Sequence, residues 1–140
     1  MRKNVVILCL LALFVFADMS SQENDQLLNK INGLHRIAGS VIGRNDQTSE
    51  EYKIFEALEQ LSTYDVVKIY EETTNPIGKI FCCWALKERK YANYTIYSEY
   101  LKNLYSHVQI ETQWYGEVVE NEQLTKVIDY NFRKLWSGKK

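Results

Sequence analysis

The stretch from Asn75 to Lys87 constrains this chain more than any other. Asn75 has the side chain of a helix cap, and Pro76 at the first helical position gives up an amide that would have had no partner there. The residues that follow predict a helix from Pro76 to about Lys87. Its apolar members are Ile77, Ile80, Phe81, Cys82, Cys83, Trp84, Ala85 and Leu86, with Lys79 and Lys87 as the polar exceptions. A helix that is apolar nearly all round has no face to give to water, so it belongs in the middle of a fold with cover on several sides. Trp84 is expected to be buried there.

The rest of the chain must supply that cover. From Asp25 to Ile42, the residues Leu27, Leu28, Ile31, Leu34, Ile37, Ala38, Val41 and Ile42 recur at three- and four-residue steps, which predicts one long helix despite Gly33 and Gly39. Gly43 and Asn45 offer its stop. Thr48 with Glu51 reads as a capping box opening a helix that carries Tyr52, Phe55, Leu58 and Leu61, and Ser62 with Asp65 repeats the signal for a helix carrying Val66, Val67, Ile69 and Tyr70. Tyr97, Tyr100, Leu101, Leu104, Tyr105 and Val108 form a further stripe. Leu124, Val127, Ile128, Leu135 and Trp136 form the last. Val108, Ile110, Thr112 and Trp114 alternate as a strand would, but an isolated strand has nothing to pair with, so this segment is assigned to a short helix. The expected fold class is all-α, with antiparallel helix pairs arranged as a short stacked array or a compact bundle.

The segment 75–86 also resembles the second-helix motif of HEAT-type repeats. There a turn Pro is followed by a basic residue, small residues and Ala-Leu, and Pro76, Lys79, Cys82, Ala85 and Leu86 fall in register. Gly78 stands where a β-branched residue is usual, Lys79 replaces the commoner Arg, and no second copy of similar quality is found. The chain thus resembles exported helical proteins of Gram-negative bacteria with one or two degenerate HEAT-like units. That resemblance spans about residues 48–136 and implies a short α-α superhelix, with no reaction attached.

At the N-terminus, Arg2 and Lys3 precede an unbroken apolar run of 13 residues from Val5 to Ala17. A span of the bilayer needs about 20, so the run reads as a secretory leader over 1–17, cut after Ala17, with an uncleaved anchor as the alternative. Removing 17 of the 140 residues leaves 123, enough for one domain over 18–140. Loss of Arg2 and Lys3 leaves 15 basic and 18 acidic side chains and takes the formal charge from −1 to −3. That balance favours neither nucleic acid nor a membrane surface once the leader is gone. Of the cysteines only Cys82 and Cys83 remain, adjacent on a helix and badly placed to bond each other. The periplasm or cell exterior is the expected location.

Chemistry-bearing motifs are sparse. Cys82 or Cys83 could use His107 as a base, but an apolar helix disfavours a thiolate. His35 lacks a second metal ligand at helical spacing. Glu117, Glu120 and Glu122 resemble an acid pair, but acids gather near helix starts for electrostatic reasons alone. We therefore assign no catalytic, cofactor-binding or metal residues. Of ten tyrosines, Tyr91 and Tyr94 are the candidates for an exposed partner-binding surface. The expected function is a non-catalytic protein-interaction module with a protein partner. The alternatives are an inhibitor or immunity-type protein that neutralises an exported enzyme, and a small hydrolase of unrecognised type.

Overall fold

Asn75 anchors the architecture, as its sequence context suggests. In a computed structural model that describes residues 22–39, 41–42, 47–114 and 118–130, its side-chain oxygen accepts from the amides of Ile77 and Gly78 and opens helix α4 (Pro76–Glu88). Its side-chain amide donates to the carbonyls of Asn32 at 3.2 Å and Leu34 at 2.6 Å. One residue therefore starts α4 and stops α1, whose described part covers 22–32. The expected leader over 1–17, Gly43, Asn45, Glu117, Leu135 and Trp136 lie outside the described residues.

α4 is central. Every residue from Ile80 to Leu86 is buried, and Trp84 is 0% exposed, its indole N–H donating to the Ile128 carbonyl at 3.2 Å. Around it pack α2 (Glu50–Gln60), α3 (Thr63–Glu72) and α5 (Tyr94–Leu104). Phe81 stacks on Trp84 at 5.7 Å and meets Phe55 of α2 edge-on at 6.1 Å. α1 approaches closely because α4 has no side chain at Gly78, where a Cβ would run into Ile31 Cγ2. Arg89 ties α2 to the end of α4: its Nη2 donates to the carbonyls of Leu58, Glu59 and Leu61 at 2.7–2.9 Å, closing the α2 C-terminus.

The all-α expectation is overturned by a three-stranded mixed sheet. β1 (Arg36–Ala38) pairs parallel with β4 (Gln109–Gln113), and β4 pairs antiparallel with β5 (Glu120–Gln123). A two-stranded pair, β2 (Val41–Ile42) with β3 (Gln47–Thr48), lies between β1 and α2 in the chain. The fold remains mostly helical. Two sequence readings give way here. The helix expected over 25–42 stops at 32, because the Gly33 amide closes back on Asn29 and Lys30 and Asn75 takes the freed carbonyls; Ile37 and Ala38 then bury themselves as strand residues. Within the segment 108–114, residues 109–113 form a strand because they have partners on both sides. Gly39 keeps β1 against it, its amide donating to the Gln113 carbonyl at 2.8 Å, where a Cβ would strike the Trp114 carbonyl.

The α2 start also shifts by one residue. Ser49 is the cap, accepting from the Tyr52 amide at 3.0 Å, while Thr48 pairs with Val41 in the β2–β3 ladder. Glu51 is not turned back to the helix start. It is buried and accepts from Arg36 Nε at 2.8 Å, and Arg36 Nη1 donates to Gln113 at 2.9 Å, joining α2 to both β1 and β4. The Ser62 and Asp65 signal does open α3, with the Ser62 hydroxyl accepting from the Asp65 amide. The last described helix, α6 (Leu124–Val127), is a single turn.

Candidate interaction surfaces

α5 carries apolar residues on two lines, and only one of them faces the core. Ser98 and Leu101 are buried, flanked by the half-buried Tyr94, Tyr97 and Tyr105. Ser98 is tolerated inside because its hydroxyl donates to the Thr95 carbonyl at 3.1 Å. The second line is Ile96, Tyr100 and Leu104, which are 66%, 59% and 54% exposed. Steps of four residues place all three on one side of the helix. An isolated exposed apolar residue needs no explanation, but three aligned along a helix form a continuous patch.

Tyr91 and Tyr94 are therefore not where the apolar surface lies. Both are half-buried against the core: Tyr91 lies 6.3 Å from the Tyr97 ring, and Lys87 sits 5.7 Å over the Tyr94 ring. Burial pushes the Tyr94 hydroxyl above its ordinary range. The sequence stripe set Tyr100 and Leu104 on the buried face and did not include Ile96. The available signal was the second i, i+4, i+8 line, which hydropathy alone does not orient inward or outward.

The two cysteines are enclosed. Cys82 and Cys83 are 0% exposed, and burial raises both thiols, that of Cys83 to about 12. A thiol in that state supplies no thiolate near neutrality. His107, the base paired with them in the sequence reading, stands exposed in the turn after α5. Among the described residues no group of three or more His, Cys, Asp or Glu side chains is placed to hold a metal ion, and no helix is long and apolar enough to cross a membrane.

Glu120 and Glu122 fall on β5, which runs directly into α6 through its cap residue Gln123. The Glu122 carboxylate has four bonding partners. Thr112 Oγ1 and Trp114 Nε1 donate to its Oε1 at 2.9 and 2.8 Å, while the Tyr130 hydroxyl and Lys126 Nζ, the latter at 3.1 Å, meet its Oε2. Burial works against the ionised carboxylate, but the four donors outweigh it and hold the group down to about 2. With both oxygens occupied by this chain, Glu122 is a pin for the β4–β5–α6 corner.

No protein-family model, characterised protein or solved structure matches this chain. The surfaces must therefore be read on their own chemistry. A depression of about 610 Å³ beside His35, Arg36 and the start of α2 offers little unspent charge, since Arg36 is paired with Glu51 and Lys53 with Glu50 at 2.6 Å. The α5 line is the larger unsatisfied feature.

Proposed function

We propose that this chain is a non-catalytic interaction module, working outside the cytoplasm, that receives an amphipathic helix of a protein partner along α5. The observation that carries this reading is the aligned exposure of Ile96, Tyr100 and Leu104. Helix-in-groove recognition uses apolar anchors at this spacing, and a central tyrosine suits an interface because it offers a large rigid apolar body with a polar tip.

The flank of the line indicates the charge of the partner. Glu99 is 65% exposed beside Tyr100, and Lys102, which bonds it at 3.1 Å, is shared with Asp129 at 2.8 Å. The flank is acidic, so a partner helix with a basic edge fits. Two copies of α5 crossing antiparallel near Tyr100 would instead bring their Glu99 side chains together, which disfavours self-pairing. The closed, protonated Cys82 and Cys83 support a binding role over a thiol nucleophile.

A photo-crosslinking residue in place of Tyr100 tests the reading in cells of the source organism, with the same residue at Tyr64, 76% exposed on α3, as control. We expect one protein adduct at 100, competed by the parent protein, and none at 64. Equal adducts at both positions, or none at 100, would count against the α5 surface.

A further inference from the structure

β5 is the outermost strand of its sheet, and among the described residues it pairs with β4 alone. Val118 and Val119 lead into it, 65% and 48% exposed. The register sets Thr112 opposite Glu120 and Ile110 opposite Glu122, so these four side chains share one face of the sheet. On that face a cavity of about 320 Å³ opens between Thr112, Trp114, Val118 and Glu120. The polar atoms of Thr112 and Trp114 are already spent on Glu122. What they leave is an apolar wall of indole and valine, with one carboxylate, that of Glu120, unpartnered among the described residues.

We infer that this edge docks an extended segment of a partner protein, whose main chain runs beside β5 and whose Lys or Arg side chain enters the cavity. Strand addition supplies main-chain hydrogen bonds, and a side-chain pocket at the edge supplies selectivity. A Lys or Arg stem covers the apolar wall while its cation reaches Glu120 and the face of the Trp114 ring. A wholly apolar side chain would bury the Glu120 carboxylate without a partner. A second copy of β5 is a poor occupant, because antiparallel pairing would set Glu120 and Glu122 against the same acids, and like charges across strands repel. The site lies on a different element from α5, and its failure would leave the α5 reading standing.

The test uses the full chain, labelled for amide NMR, and the blocked hexapeptide Thr-Lys-Val-Lys-Val-Thr, with a control in which glutamate replaces both lysines. We expect saturable shifts at the amides of residues 120–123 and at the Trp114 indole with the lysine peptide. The glutamate peptide should bind at least about tenfold more weakly, a difference of about 1.4 kcal/mol. Glu120→Lys, an exposed change that should leave the fold intact, is expected to weaken the lysine peptide by a similar factor. The inference is overturned by equal binding of the two peptides, by no shift at millimolar peptide, by shifts confined to α5, or by β5 shifts that follow protein concentration without peptide and so report self-pairing.

Discussion

The helical layer and the sheet corner of this protein are held by different forces. Around α4 the contacts are apolar and dense: Phe55, Phe81, Trp84, Leu86 and Leu101 are 0–1% exposed, and a change of one side chain there alters packing on several helices. The β4–β5–α6 corner is pinned by polar groups, with four donors on Glu122 and with Arg36 bridging Glu51 and Gln113. Apolar packing is indifferent to pH, while a pinned carboxylate is sensitive to both its charge and its geometry. The two regions should therefore fail under different conditions.

The largest effect is expected in the helical layer. Trp84→Ala removes a fully buried aromatic and its bond to Ile128, and we predict a loss of about 3–5 kcal/mol by denaturant titration. That is a large part of the roughly 5–15 kcal/mol available to a domain. A melting temperature within a few degrees of the parent would mean that α4 is not the centre of the fold.

Next comes the corner. Glu122→Gln is predicted to cost about 1–3 kcal/mol near neutral pH, since charge-assisted hydrogen bonds are lost while their donors remain. The folded carboxyl is held at about 2 against an ordinary 4.5, so its contribution is present above the higher value and is lost as pH falls through the lower. The stability gap between parent and variant should accordingly shrink between about pH 4.5 and 2. A gap that stays constant through that range would contradict the pin.

A smaller effect tests the joint between regions. Asn75→Ala removes the α4 cap together with the bonds to Asn32 and Leu34, and we predict a loss of about 1–2 kcal/mol. Amide exchange should then accelerate in the last turn of α1 as well as in the first turn of α4. Acceleration in α4 alone would show that Asn75 does not stop α1.

The same contrast explains what was legible in the sequence. Asn75, Pro76 and the apolar circumference of α4 act locally, and so do Ser62 and Asp65; each writes its structure into neighbouring residues. The sheet does not. β5 reads Glu-Asn-Glu-Gln, with no apolar residue to announce a strand, and β1 is three residues whose Ile37 and Ala38 also suit a helical period. With both neighbours of β4 hidden in this way, its clear alternation had no partner to find. Glu51 was misplaced for a related reason: its role depends on Arg36, 15 positions earlier, and a local capping rule does not reach that far. On α5 the period was correct and the direction was not, because two apolar lines compete and the core chose the one through Leu101.

We propose that the Ile96, Tyr100 and Leu104 line is spare for binding and contributes nothing to the core. The direct measurement is a thermal melt of the Ile96→Asp, Leu104→Asp double variant, run alongside the cross-link at position 100. Exposed substitutions typically change stability by no more than about 0.5 kcal/mol each, so we predict a melting temperature within about 5 °C of the parent and loss of the adduct. A variant that unfolds, or one that melts like the parent and still forms the adduct, would contradict the claim.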